Sequence, residues 1–280
     1  MRSIDLSEDE IATLRTQIER EGLHLLPLTN QYELLRVKEG DFFFVVYSTG
    51  KMVFQESVSM ESLLDDILIP APHDIVGTDE AGKGEWYGPL VVAGVALTPE
   101  QTLDLRKMGV GDSKNLSPFR VSEIGKVIEH SAIETQVTVF QPDQYNPLIE
   151  EFKKEKKTLN DLLAWAHKRV ITQLLSRLRE KGIYPEIVYI DKFDVGGASR
   201  ELDSLSSLDV RIVQKTGGES EVAVAAASVL AKFTFETAFT LLNEKYGVDL
   251  RNSSPEDIPQ DILPHVAKIH FKNVKKVLKA

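Results

Sequence analysis

Two adjacent carboxylates close an apolar run at Ile75-Val76-Gly77-Thr78-Asp79-Glu80, and three glycines follow at Gly82, Gly84 and Gly88. A buried strand ending in acids and then in a glycine loop lets backbone approach a ligand closely while the acids stand at the strand's C-terminal edge. A second run, Ile187-Val188-Tyr189-Ile190, ends the same way, in Asp191. Neighbouring parallel strands of an α/β sheet present their C-terminal ends to one crevice, so Asp79 and Asp191 are expected to converge although 112 positions separate them. Clustered carboxylates repel one another unless a cation neutralises them. The chain has no cysteine, so a metal would rest on oxygen or imidazole, and an oxygen set suits Mg²⁺ or Mn²⁺. Taken alone, the first segment also fits a solvated acidic turn, because Asp and Gly are common in turns.

Gly77-Thr78-Asp79-Glu80-Ala81-Gly82-Lys83 also fits the first seven positions of a nucleotide-binding P-loop. The eighth position, which should be Ser or Thr to hold Mg²⁺ ahead of a helix, is Gly84, with Gly88-Pro89 soon after. A nucleotide hydrolase is therefore the least favoured reading.

The elements that would carry these residues fall into two parts. Ser7 and Glu10 have capping-box spacing and Ile11, Leu14 and Ile18 recur at helical intervals, which predicts a helix over 8–21. Three β-rich runs, 32–37, 42–47 and 52–55, then read as an antiparallel meander, followed by a short helix over 60–68. Pro70-Ala71-Pro72 breaks regular structure and is taken as a domain boundary, giving a small N-terminal α+β domain over 1–70 and a larger domain over 71–280. In the second part strands at 75–78, 90–97, 133–140, 186–190 and 210–213 alternate with helices from Pro118, over 159–180 and over 221–244, which is an α/β layout. A final helix is expected from about His265.

The formal charge of −10 speaks against a nucleic-acid partner until its distribution is considered. Residues 1–70 hold 6 basic against 13 acidic side chains, whereas the last sixteen residues hold five lysines and no acid. Lys268, Lys272, Lys275, Lys276 and Lys279 fall on one helical face, a stripe suited to a phosphate backbone. No run approaches the roughly 18 consecutive apolar residues of a membrane span, and the first ten residues are too acidic for a signal peptide, so a cytoplasmic protein is expected.

Asp79-Glu80-Ala81-Gly82-Lys83-Gly84, Tyr87-Gly88-Pro89, Asp112-Ser113-Lys114-Asn115-Leu116, the strand ending in Asp191, and the run Ala225-Ala226-Ala227-Ser228-Val229-Leu230-Ala231-Lys232 together resemble the type 2 ribonuclease H family, over essentially all of residues 74–280. The segment Tyr47–Gln55 resembles the TATA-binding-protein-like domain that precedes the nuclease in the HIII type, and Asp191-Lys192-Phe193 is closer to HIII than to HII. The resemblance implies a ribonuclease H-like mixed sheet flanked by helices, with a small substrate-binding domain in front. It also implies an endoribonuclease that cuts the RNA strand of RNA–DNA hybrids with two divalent ions on four carboxylates, leaving 5′-phosphate and 3′-hydroxyl ends, with no membrane and no obligate protein partner.

On that resemblance the ligands are Asp79, Glu80, Asp191 and a fourth acid shortly before the small-residue helix. Glu219, nine positions before Ser228, is the expected one, with Glu221 as its competitor. Gly82, Lys83 and Gly84 are expected to read the RNA strand through amides that bond a 2′-hydroxyl. Tyr87 is a candidate for stacking on a sugar, and Ser113 and Lys114 for holding phosphate. His167 and His270 are read as packing residues. A hybrid-binding module without catalysis is the alternative from another class, and metal-dependent cleavage separates the two.

Overall fold

The structure is a computed structural model and describes all residues except 41, 70, 72, 112–115, 192–201, 203–204, 206–209, 216–220 and 280, together with the side chains of Glu39 and Lys215. Ser113, Lys114 and Glu219 therefore lie outside the described residues.

The N-terminal part contains β1 (Arg2–Asp5), α1 (Glu8–Glu21), β2 (Glu33–Glu39), β3 (Phe42–Tyr47), β4 (Lys51–Phe54) and α2 (Val58–Ile67). The capping box is formed: the Ser7 hydroxyl accepts from the Glu10 amide while Glu10 accepts from the Ser7 amide. The strands make an antiparallel sheet in the order β1-β4-β3-β2, so the expected meander gains an edge strand. Alternation sends Leu35, Val37, Phe44, Val46, Met52 and Phe54 into one core with Leu14, Ile18, Met60 and Leu64 of the two helices. The opposite face carries Phe43, Val45, Tyr47 and Val53 among Arg36, Lys38 and Lys51, by the same alternation.

The second part contains β5 (Ile75–Ala81), β6 (Leu90–Leu97), α3 (Pro99–Lys107), α4 (Pro118–Ser131), β7 (Glu134–Phe140), α5 (Pro142–Lys154), α6 (Leu159–Glu180), β8 (Ile187–Asp191), β9 (Arg211–Lys215), α7 (Val222–Tyr246), α8 (Leu263–Val266) and α9 (Lys272–Lys279). Its sheet runs β7-β6-β5-β8-β9, with β6 antiparallel to both of its neighbours and the other four strands running in one direction. Helix α7 lies on one face and α6 on the other. The approach of α7 depends on Gly77: a Cβ there would stand 2.1 Å from the Ala223 carbonyl carbon, so only glycine lets β5 and the start of α7 meet. By length and composition α7 is apolar enough to cross a membrane, and two-thirds of its most apolar window (67%) is buried inside the protein.

The two parts are joined by buried charge. The Arg106 guanidinium donates to both Glu10 carboxylate oxygens at 2.7 and 2.9 Å and to the carbonyls of Asp5 and Ile69. Burial raises the Glu10 carboxyl pKa, but Arg106 and two backbone amides outweigh it and hold it below the usual range. Lys107 pairs with Asp65 beside it.

The expected C-terminal helix is corrected. The chain makes a short helix at Leu263–Val266, leaves it at Ala267 in an extended conformation, and starts α9 only at Lys272. The reason is a pairing made elsewhere: the Lys268 amide donates to the Trp86 carbonyl at 2.7 Å. Lys268 is buried, so the lysine stripe is reduced to the exposed Lys272, Lys275, Lys276 and Lys279, with Val274 on the packed side.

Candidate active site

Strands β5 and β8 pair in parallel with Thr78 opposite Ile190, so Asp79 and Asp191 stand one step beyond, side by side at the same sheet edge. The expected convergence is seen. The pleat sends the two adjacent acids of β5 to opposite sides. Asp79 faces α7, where it accepts from the Ser228 hydroxyl, and it also accepts from the Glu80 amide at 2.8 Å. Glu80 faces α6, where its carboxylate lies 3.1 Å from His167 Nε2.

Burial and then the negative charges of Glu80 and Asp191 push the Asp79 carboxyl up to about 7, although Ser228 and the Glu80 amide pull it down. Glu80 goes the other way. Burial raises it, but the hydrogen bond and charge of His167 and the Lys83 ammonium, 3.6 Å away, outweigh burial and hold it below the usual range. A carboxylate that must give up its proton near neutrality, beside two more acids, is a place where a cation would be stabilised. An oxygen-only donor set fits a hard divalent ion. Among the described residues no three His, Asp or Glu side chains stand close enough to hold a metal by themselves.

Two residues here carry more than the sequence suggested. Ser228 fixes the Asp79 carboxylate. His167, fully buried on α6, bridges Thr78 Oγ at 2.9 Å through Nδ1 and Glu80 through Nε2. Both ring nitrogens of this buried histidine are thereby bonded, one to the carboxylate and one to the Thr78 hydroxyl. A histidine among Leu163, Ala164, Val170 and Ile171 on the buried face of α6 needs a buried polar partner, and that was the signal available in the sequence.

The glycine loop leaves β5 through Gly82, whose φ of +84° is in the left-handed region and whose missing Cβ would lie 2.2 Å from the Pro89 carbonyl. At Gly84 a Cβ would meet only open space, so this stretch is accessible. The expectation for Tyr87 is corrected: its ring is 4% exposed and cannot offer a face to a sugar. Burial raises its hydroxyl to about 12. The exposed aromatic of the loop is its neighbour Trp86, at 42%. His270 remains a packing residue, half-buried against the Tyr145 and Phe271 rings.

The ribonuclease HII family profile matches residues 76–274. The chain is 31% identical to ribonuclease HIII of Chlamydia caviae over 94% of its own length and 93% of that protein's. It is also 31% identical to ribonuclease HIII of Bacillus cereus, over 91% of each. Among solved structures, Bst-RNase HIII in complex with Mn²⁺ superimposes with a TM-score of 0.66 over 99% of this chain and 98% of that one, at 24% identity, a likeness of fold. With the paired acids of β5, the third acid of β8 and the glycine loop all inside the matched span, the chain belongs to the ribonuclease HII family, on its ribonuclease HIII branch.

Proposed function

We propose that this chain is an endoribonuclease that hydrolyses the RNA strand of RNA–DNA hybrids, with divalent ions held by Asp79, Glu80, Asp191 and Glu219. The observation that carries the reading is the meeting of Asp79 and Asp191 at the ends of paired parallel strands, with Glu80 and the glycine loop following Asp79 in the chain. The Mn²⁺ held by Bst-RNase HIII supports an ion of this class. When bound, such ions would activate a water for in-line attack on phosphorus and stabilise the leaving 3′-oxygen, giving 5′-phosphate and 3′-hydroxyl ends.

The protein's own part is positioning. Ser228 and the Glu80 amide aim the Asp79 carboxylate, which would hold a cation in its ionised form. His167 and Lys83 keep Glu80 ionised and oriented. The backbone of Gly82–Gly84 is assigned to bonding a 2′-hydroxyl, the group that separates RNA from DNA, with Lys83 as a point charge for phosphate, and the open space at Gly84 supports that assignment. Ser113 and Lys114 are assigned to phosphate on the same reading. The P-loop alternative loses its ground, because the segment after Gly82 leads into strand β6 where a P-loop leads into a helix. The test is a substrate panel: the chain is expected to cut hybrid in Mg²⁺ or Mn²⁺ and to leave duplex DNA and ATP intact, and hydrolysis of ATP without nucleic acid would contradict it.

The N-terminal sheet is assigned to substrate binding through the face bearing Phe43, Tyr47 and Val53 with Lys38 and Lys51, a pairing of rings and cations suited to nucleic acid. Deleting residues 1–70 is expected to raise the Kd for hybrid more than it lowers kcat. Because that deletion strips Arg106 of Glu10, Lys38→Glu with Lys51→Glu in the intact chain is the companion variant. Unchanged Kd in both would remove the domain from substrate binding.

The lysines of α9 are assigned to the nucleic-acid backbone. Reversing Lys275 and Lys279 should flatten the salt dependence of hybrid binding by about one unit of slope for each phosphate that is no longer neutralised. An unaltered slope would return these lysines to a solvated helix face.

A further inference from the structure

The segment that interrupts the C-terminal helices carries a cation that the chemistry above does not use. Lys268 is 0% exposed, and among the described residues it makes no ion pair. Its ammonium donates to the Glu85 carbonyl at 2.9 Å and reaches the Tyr87 carbonyl at 3.4 Å, with the Tyr145 ring 5.8 Å away. Its own amide donates to the carbonyl between them, that of Trp86, at 2.7 Å. One residue thus holds three successive carbonyls of the loop that begins at Gly82.

The contact is reinforced on both sides. Gly88 donates its amide to the Val266 carbonyl at 2.9 Å, and Tyr87 bridges Ala267. From behind, Asn146 of α5 donates to the carbonyls of Pro264 and Ala267, both at 2.9 Å, and accepts from the Ile269 amide at 3.0 Å. Burial drives the Lys268 ammonium down to about 7, so the position is an unfavourable one for a cation. An apolar side chain would serve packing alone better than a buried charge.

What the clamp does is visible in the side chains. With the carbonyls of residues 85 to 87 bonded to Lys268, the Tyr87 ring is buried and the Trp86 indole is exposed, two positions after Gly84 in the same loop. A loop with several glycines samples many conformations when unrestrained, and ordering it on binding subtracts from affinity. We propose that Lys268 is a positioning residue that fixes Glu85–Tyr87 so that the Gly82–Gly84 backbone and the Trp86 indole are presented, already ordered, to the RNA strand of the substrate. The proposal rests on the hybrid-cutting reading of the site.

The test compares Lys268→Met and Lys268→Arg with the wild type in the full chain, after circular dichroism has established that each is folded. Loss of preorganised binding should raise KM for hybrid by about tenfold for Lys268→Met with kcat kept within about twofold, because binding common to ground and transition states is what is removed. Lys268→Arg should recover most of that loss. A folded Lys268→Met with a lower Tm and an unchanged KM would overturn the proposal and leave a purely structural lysine. If Lys268→Met does not fold, Asn146→Ser, which loosens the same segment without touching the buried charge, should raise KM in the same direction, and an unchanged KM there overturns the proposal. Hybrid binding is also read without turnover, from Trp86 fluorescence in a Trp165→Phe background with chelator present. The titration midpoint should move by the same factor as KM. A wild type that binds hybrid but never cuts it would overturn the catalytic reading, while this midpoint would still test the clamp.

Discussion

Asp79→Asn is expected to lower metal-dependent cleavage by about a thousandfold or more, the scale set by removing charge stabilisation from a transition state, and Asp191→Asn should do the same. Asparagine keeps the shape of Asp79 and an oxygen that can accept from Ser228 and the Glu80 amide, so the fold is expected to survive. Hybrid binding should also persist, because positioning contacts to phosphate and sugar lie elsewhere. The same variant carries a second, opposite effect. The Asp79 carboxyl titrates at about 7 in the folded chain against 3.8 ordinarily. Well below pH 3.8 both states hold the proton and the group is neutral in its effect. Between pH 4 and 7 the unfolded chain releases the proton while the folded chain keeps it, so metal-free stability falls as pH rises, and above 7 the loss is complete. Asp79→Asn escapes this loss and should be more stable than the wild type at pH 8 by on the order of a few kcal/mol, with little difference at pH 4. Thermal melts in chelator at the two pH values check it, and equal melting temperatures at pH 8 would contradict the electrostatic account.

Glu219→Gln is expected to cut metal-dependent turnover by about a hundredfold or more, on the same scale as other charge-stabilising groups, whereas Glu221→Gln should leave turnover within about threefold. Glu221 occupies the N-cap position of α7 with its carbonyl accepting from Val224 and Ala225, and its side chain makes no capping bond there. An acid at a helix N-terminus is worth about 0.3–1 kcal/mol, so the Glu221 variant should register in Tm before it registers in rate. Measuring kcat for both variants decides between them. A large loss at Glu221 with none at Glu219 would move the fourth ligand by two positions and leave the other three in place.

The residues that could be read from the sequence are those whose roles depend on local pattern. The capping box at Ser7 and Glu10, the helix over Leu159–Glu180 and the strands carrying Asp79 and Asp191 each announce themselves within a few positions. Strand β1 does not, because Arg2–Asp5 is four residues long and is made a strand only by pairing with Lys51–Phe54. Helix α3 had a local signal, Thr98 and Gln101 in capping-box spacing with Pro99 at the first turn, which apolar periodicity alone passes over. Lys268 is a different case. Its spacing matches the lysines of α9, yet its environment is decided by Trp86, which is 182 positions earlier. Tyr87 turns inward and Trp86 outward for the same long-range reason. Which residue of this adjacent pair is exposed depends on contacts with the C-terminal segment that local pattern does not reveal.

The central claim, metal-dependent hydrolysis of RNA in a hybrid, is tested most directly by following an RNA strand labelled at one end and annealed to DNA, with wild-type chain in Mg²⁺, in Mn²⁺ and in chelator. The expected result is internal cutting of the RNA strand in the presence of either or both ions and none in chelator, with products bearing 5′-phosphate and 3′-hydroxyl ends and the DNA strand intact. Tight hybrid binding with no cleavage in either ion would contradict the account and favour a binding module built on the same glycine loop.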